Sequence, residues 1–192
     1  MARLTGPRRA CAVGACATNE SGPHHADIAG DMPLTRLREL YVVELSEICE
    51  SEDEILRQLP LMAARAGDPT LRRIFEDHYR ETRTHLDRLA TIFEQLDERR
   101  RPTPAHAVRG LVDEARLRQT SLEPGELLDL ALIDSGRRIE HYEMAAYTAL
   151  VGYARRLGHH EASALLLQTL DEERRADSQL EMLPSSTRLT AA

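Results

Sequence analysis

Residues 132–158, which read LIDSGRRIEHYEMAAYTALVGYARRLG, give the clearest indication of the fold. Leu132 and Ile139 belong to an apolar stripe with helical spacing. Glu140 and Glu143 interrupt that stripe on the face that should enter a protein core. A buried carboxylate is costly unless a positive group compensates it. The stretch therefore predicts a long helix that carries acidic side chains into the core of a bundle.

Three other stretches repeat this pattern of an amphipathic helix with polar residues inside its apolar stripe. Steps of three and four residues place these polar residues on the core-facing side of each helix. A pair of bound metal ions is the compensator that best fits so many buried acids. The residues concerned are Glu52 in the first helix, Glu81 and His85 in the second, and Glu173 and Asp177 in the last.

Proline and glycine signals set the helix boundaries and the topology. Tight turns join the first two helices and the last two, so each pair should form an antiparallel hairpin. The long connection between the hairpins returns the chain along the bundle, as in ferritin-like four-helix bundles. We predict long helices over about 34–66, 70–98, 125–157 and 160–183, with a short helical piece over 107–118.

These boundaries define one folded domain. We predict an all-α, ferritin-like four-helix bundle over residues 33–184, with a short extra helix in its long crossover. Residues 1–32 lack a periodic apolar face and are predicted to be a disordered extension, and 185–192 a disordered tail.

The composition supports a helical bundle and excludes several classes of partner. The 192 residues are 42% hydrophobic and 30% charged but only 4% aromatic, which favours helices over a β-rich fold. The net charge of −7 argues against nucleic acid as the main partner. No apolar run approaches the ~20 residues that cross a bilayer. Three cysteines form no even disulfide framework, so we expect a cytoplasmic protein without membrane partners.

Counting along the helices predicts that the polar interruptions share one layer. At ~1.5 Å rise per residue, those of both hairpins lie roughly 20–28 Å from their turns. The acids could not share a dry layer as free anions, because mutual repulsion would raise their pKa values. Two metal ions would remove most of the charge, and carboxylates with a histidine suit iron or manganese. The candidate metal ligands are therefore Glu52, Glu81, His85, Glu140, Glu143, Glu173 and Asp177.

The acidic layer has a simpler interpretation as a solvated face or an internal salt-bridge network. The basic partners in such a network would be Arg83, Arg137, Arg174 or His78.

Several neighbouring residues have expected environments that the structure can test. Asp171 and Glu172 lie off the stripe and are predicted to be solvated, and His141 should lie at a surface or interface. Cys49 is predicted to be a small buried thiol. Tyr147 lies one turn after Glu143 and would either hydrogen-bond a ligand carboxylate or pack in the core.

Four segments resemble the YciF-like ferritin-like proteins, a stress-associated bacterial family of largely unassigned activity. The resemblance covers about residues 34–183. It implies a dimeric ferritin-like bundle, similar to rubrerythrin in the placement of a dimetal site, with the seven candidate ligands in that role. The segments are LYVVEL at 40–45, ETRTH at 81–85, EHYE at 140–143 and LDEE at 170–173 together with Asp177.

Two features of the chain depart from the usual dimetal pattern. The Glu81-to-His85 spacing is one residue longer than Glu-x-x-His, and Asp177 stands where rubrerythrins and ferritins have histidine. The chain also lacks a Cys-x-x-Cys pair, which argues against a rubredoxin-type iron centre.

The residues and the resemblance together predict two function classes. The first is a stress-response homodimer with a carboxylate-bridged site for two metal ions, preferably iron and otherwise manganese or zinc, that handles iron or peroxide. The alternative is a non-catalytic stress-associated structural or interaction protein whose acidic layer is a polar core network.

Overall fold

The computed structural model describes residues 36–183, and the regular structure in that range is entirely helical. The predicted disordered segments, 1–32 and 185–192, lie outside the described residues. The helices are α1 (Leu37–Arg65), α2 (Pro69–Leu96), α3 (His106–Ser121), α4 (Glu126–Arg156) and α5 (His160–Glu181).

The turn between α1 and α2 is held by two aspartates. The Asp68 side chain caps α2 by accepting hydrogen bonds from the backbone N–H groups of Thr70 and Leu71, at 2.6 and 3.1 Å. Asp129, in the first turn of α4, accepts from the N–H groups of Gly67 and Asp68, at 2.8 and 2.9 Å. The turn is therefore both closed locally and attached to the second hairpin.

The other helix ends agree with the predicted turns to within a few residues. Asp97 ends α2 in the left-handed conformation, with φ of 51°. Gly158, with φ of 76°, makes the turn between α4 and α5, a conformation that favours glycine. The crossover helix α3 is longer than predicted: it spans His106–Ser121, whereas the prediction was 107–118.

The helices pack as two hairpins in a four-helix bundle, as predicted. α1 lies against α2 and α4, and α5 lies against α4 and α2. α3 packs on α1 and α4 on the outside of the bundle. The Arg65 guanidinium donates to the carbonyls of Gln119 and Leu122, at 2.7 and 2.9 Å, which ties the end of α3 to α1.

The apolar core is divided into two clusters, with polar residues between them. One cluster includes Tyr41, Leu45, Ile92, Leu150 and Leu166. The other includes Ile55, Met62, Phe75, Leu128 and Leu180. Packing on both sides keeps the intervening layer away from solvent.

None of the helices within residues 36–183 is both long and apolar enough to span a membrane.

Candidate metal centre

Six ionisable side chains from all four long helices form the polar layer between the two apolar clusters. Each of them is between 0% and 3% exposed. Four carboxylates and two imidazoles removed from water in one place require strong compensation. The six residues, here called the buried cluster, are Glu52 on α1, His78 and His85 on α2, Glu140 and Glu143 on α4, and Glu173 on α5.

One half of the buried cluster is formed by His78 and three glutamates. One potential ligand atom from each of His78, Glu140, Glu143 and Glu173 lies within 4.8 Å of the others. His78 Nε2 is 3.3 Å from a Glu140 oxygen and 3.7 Å from Glu173 Oε2. This group offers one nitrogen and several carboxylate oxygens to a single point.

The other half is formed by Glu52, His85 and Glu173, whose ligand atoms also lie within 4.8 Å of one another. His85 Nδ1 is 3.0 Å from Glu173 Oε1 and 3.4 Å from Glu52 Oε1. Glu173 therefore belongs to both halves, with one oxygen near each histidine. A carboxylate placed in this way can bridge two metal ions.

Burial dominates the acid–base behaviour of three of the glutamates. Removal from water raises the pKa of Glu52, although the charge of His85 opposes the effect. Burial also raises the pKa of Glu140, which His78 partly offsets. Burial and then repulsion from Glu173, Glu52 and Glu140 raise the pKa of Glu143 well above its usual value. Glu143 thus has no positive group among the main influences on its ionisation.

The pKa values of the two histidines and of Glu173 shift so as to favour their charged forms, because each of these groups faces unlike charges. Burial alone would lower the pKa of His78, but the attraction of Glu140 raises it to about 9. Burial would likewise lower the pKa of His85, but the charge of Glu52 and contact with Glu173 raise it to about 11. Burial opposes ionisation of Glu173, yet the two histidines hold its pKa below the usual value. Without metal, these histidines are the positive charges of the cluster.

Protein partners do not satisfy the polar atoms of the buried cluster. Nine of its side-chain atoms are buried without a hydrogen-bond partner among residues 36–183, and both oxygens of Glu143 and of Glu173 are among them. Orphaned polar atoms at this density are rare in folded proteins, and they mark a place that could bind an ion or ligand. No arginine in the described part of the chain pairs with the four glutamates of the cluster. The donor set therefore fits two metal ions better than a closed salt-bridge network.

Residues around the cluster orient its members. The Tyr147 hydroxyl donates to Glu52 Oε1 in a short hydrogen bond. His85 Nε2 donates to Glu172 Oε2 at 3.0 Å. Arg88 holds Glu172 from the other side through its two terminal guanidinium nitrogens and also donates to Thr169 Oγ1.

Five of the seven sequence-predicted ligands lie together in this layer: Glu52, His85, Glu140, Glu143 and Glu173. The structure does not bring the other two, Glu81 and Asp177, into either group of potential ligand atoms.

Glu81 lies at the edge of the layer. Its side chain is 36% exposed, 3.5 Å from Arg175 and 3.8 Å from His78 Nδ1. An α-helix turns by about 100° per residue, so three residues beyond His78 the side chain points about 60° away from the cluster. Asp177 lies one turn beyond Glu173 and pairs instead with Arg137, at 2.8 Å, and with His141, at 3.3 Å.

Two residues of the site are not among the sequence-predicted ligands. The sequence predicts His78 only as a salt-bridge partner, although it lies two helical turns from His85 and therefore on the same face of α2. The prediction that Glu172 is solvated is wrong, because its side chain is 14% exposed and held by His85 and Arg88. Glu172 adjoins Glu173 off the apolar stripe, so periodicity carried no signal for its role.

Other predicted environments are confirmed. The side chains of Asp171 and His141 are each 60% exposed. Cys49 is a buried free thiol, and burial raises its pKa to about 12. Arg174, which the salt-bridge interpretation names as a basic partner of the acidic layer, pairs instead with Asp171 outside the buried cluster.

Comparison with known proteins gives consistent matches across the bundle. Residues 36–192 match the family described as a domain of unknown function, DUF892. The chain is 30% identical over 150 residues to protein YciF of Escherichia coli strain K12, which covers 78% of this chain and 90% of YciF.

Two solved structures extend this likeness to the fold. The crystal structure of the E. coli stress protein YciF is similar with a TM-score of 0.75 at 30% identity, covering 77% of this chain and 94% of that one. YcfI from Rhodopseudomonas palustris is similar with a TM-score of 0.78 at 27% identity, covering 80% of this chain and 98% of that one. The family match spans all five helices.

Proposed function

Because this chain belongs to the DUF892 family and is similar to the stress protein YciF, we propose that it is a stress-response protein with a carboxylate-bridged dimetal site that handles iron or peroxide. The observation that carries the proposal is the position of Glu173. Its two oxygens lie near two different histidines, and both lack a hydrogen-bond partner among the described residues.

The proposed ligands divide between two metal positions. His78, Glu140 and Glu143 serve one position, Glu52 and His85 serve the other, and Glu173 serves both. One imidazole and several carboxylate oxygens at each position suit iron or manganese, whereas structural zinc sites favour four cysteine or histidine ligands. Glu81 and Asp177 stay outside this set, because arginines already pair with them.

When bound, iron would supply electron-transfer chemistry toward oxygen or peroxide, and the chain supplies a dry, shaped site. In the metal-free site the two histidines hold the pKa of Glu173 below its usual value, so that Glu173 is available as an anionic ligand. Tyr147 holds one oxygen of Glu52 and leaves the other free. The apolar clusters on either side of the layer limit the access of water to the site.

A non-catalytic polar core is the second candidate. The observation in its favour is that His78 and His85, with pKa values raised to about 9 and about 11, can carry positive charge without any metal. Glu143, buried without a basic partner among the described residues, is what such a network leaves unexplained.

We further propose that two copies form a homodimer and that the protein is cytoplasmic. The dimer rests on the family resemblance, and the compartment rests on the three cysteines of the sequence. Sedimentation equilibrium would test the first, and fractionation of the native cells would test the second.

Iron loading tests the proposed function directly. The purified protein is loaded with ferrous iron without oxygen, separated from free iron, and analysed for bound metal. Hydrogen peroxide is then added, and the formation of ferric iron is followed by absorbance. We expect the wild-type chain and Asp177→Asn to retain iron and oxidise it, and Glu173→Ala to retain none. Manganese and zinc are loaded in the same way in parallel samples. Failure of the wild-type chain to retain any of the three metals would remove the proposal in favour of the polar core.

A further inference from the structure

We propose that Glu172, clamped by Arg88, orients His85 so that its Nδ1 is the metal-binding atom, whereas His78 binds through Nε2. This inference rests on the proposed dimetal site and assigns a positioning role to a residue outside the ligand set. It makes the two metal positions inequivalent in the histidine nitrogen that they use.

The two nitrogens of His85 face different surroundings. Nε2 lies 3.0 Å from Glu172 Oε2 and donates to it. Nδ1 lies 3.0 Å from Glu173 and 3.4 Å from Glu52, and it has no hydrogen-bond partner among residues 36–183. The fully buried ring therefore presents Nδ1 to the carboxylates that would share an ion with it.

Glu172 is itself held in place as an anion. Arg88 contacts both of its oxygens, one of them at 2.9 Å, and its guanidinium also donates to Thr169 at 3.1 Å. Burial alone would raise the pKa of Glu172, but Arg88 and then His85 lower it. A charged carboxylate with a fixed orientation is the partner that best fixes the N–H of a metal-binding imidazole.

His78 faces the cluster with its other nitrogen. Nε2 is 3.3 Å from Glu140 and 3.7 Å from Glu173. Nδ1 points to the edge of the layer, where Glu81 lies 3.8 Å away with a side chain that is 36% exposed. Glu81 is 3.5 Å from Arg175, whose side chain is 57% exposed. Glu81, the outer partner of His78, is therefore more distant and more exposed to solvent than Glu172, the outer partner of His85.

This asymmetry predicts unequal effects of removing the two outer carboxylates. Loss of the outer partner of a metal-binding histidine typically weakens metal affinity 10–100-fold. Glu172→Ala removes a close, clamped partner and should weaken one of the two zinc-binding steps by about that factor. Glu81→Ala is the matched control on the other histidine and should change affinity by less than about threefold, because water can replace a distant exposed carboxylate.

Zinc is the probe for both measurements, since it is diamagnetic and permits NMR. Long-range ¹H–¹⁵N correlation spectra of the ¹⁵N-histidine-labelled, zinc-loaded full chain identify the ligating nitrogen of each ring. We expect zinc on Nδ1 of His85 and on Nε2 of His78. In Glu172→Ala the signal of the His85 Nε2 proton should broaden or exchange faster, and Glu172→Gln, which keeps an acceptor oxygen, should recover part of the affinity.

The outcomes separate this inference from the proposed function. Zinc bound through Nε2 of His85, or equal losses of affinity in Glu172→Ala and Glu81→Ala, would overturn the positioning role while leaving the dimetal site intact. A wild-type chain that binds none of iron, manganese and zinc would overturn both. If manganese binds and zinc does not, the manganese affinities of Glu172→Ala and Glu81→Ala decide the positioning role. Circular dichroism of each variant checks that the helices are retained.

Discussion

Glu143 is the residue whose surroundings most require a compensating charge. It is fully buried, both of its oxygens lack a hydrogen-bond partner among residues 36–183, and burial raises its pKa well above the usual value. A structural network would supply such a side chain with a donor. In a metal site the ion is that partner.

Replacing this glutamate by leucine should stabilise the metal-free protein. Exchanging a buried carboxyl group that has no hydrogen-bond partner among residues 36–183 for an apolar side chain of similar size removes a desolvation cost of about 1–3 kcal/mol. We expect Glu143→Leu to raise the free energy of unfolding in urea with chelator present, and to weaken metal binding at the position formed with His78 and Glu140.

Asp177→Leu is the control for that experiment, because Asp177 has a partner in Arg137 at 2.8 Å. It should bring no gain in stability. A loss of stability in metal-free Glu143→Leu would indicate that Glu143 belongs to a structural network, which would favour the non-catalytic interpretation.

The raised pKa values of the two histidines predict that metal binding releases protons. In the metal-free protein the pKa of His78 is about 9 and that of His85 about 11, so both rings are protonated at pH 7. A metal ion binds only the neutral ring and must displace those protons. Affinity for manganese should therefore increase from pH 6 to pH 8.

Calorimetric titration in buffers of different ionisation enthalpy would count the released protons. Asp177→Asn should release as many as the wild-type chain, since Asp177 lies outside both groups of ligand atoms. Binding without proton release, or an affinity that falls as the pH rises, would contradict the assignment of these histidines as ligands.

At the scale of the helices, the sequence predicts correctly which helices contribute to the buried cluster. It predicts less well which side chains of those helices belong to it. Apolar periodicity correctly placed polar residues of α1, α2, α4 and α5 in one layer. On α2 the rotation of the helix decides between His78 and Glu81, which lie three residues apart. The two-turn spacing of His78 and His85 favours His78, but the rotation itself depends on packing against α1 and α5. The full membership of the cluster therefore cannot be predicted from α2 alone.

The close approach of α4 to its neighbours provides a second prediction. A Cβ at Gly136 would lie 2.9 Å from Leu180 Cδ1 and 3.3 Å from Phe75 Cε1, so Gly136→Ala would force buried side chains to move. Overpacking of this kind typically costs about 1–3 kcal/mol, which outweighs the helix propensity of alanine.

Gly152, on the same helix, is the matched control. A Cβ there meets nothing within 4 Å, so Gly152→Ala should stabilise the protein by about 0.5–1 kcal/mol. Thermal unfolding of both variants measures the difference. Equal stability of Gly136→Ala and Gly152→Ala would contradict the tight contact of α4 with Phe75 and Leu180.

At the scale of the whole molecule, two separate apolar clusters pack the four long helices together. The polar layer lies between these clusters and contains residues of all four helices. The hairpin topology could be predicted, because Gly67, Pro69 and Gly158 mark tight turns and the crossover is long. The length of α3 could not, since its ends depend on contacts such as that of Arg65 with the carbonyls of Gln119 and Leu122. Ligands drawn from all four long helices should couple metal binding to global stability.

The most direct measurement is the stoichiometry of metal binding to the metal-free chain. Titration with manganese, followed by elemental analysis after removal of free metal, should give two ions per chain. Because Glu173 contributes to both groups of ligand atoms, Glu173→Ala should lose both ions, whereas Asp177→Asn should keep both. A wild-type chain that binds no metal, or a Glu173→Ala variant that still binds two ions, would contradict the dimetal site.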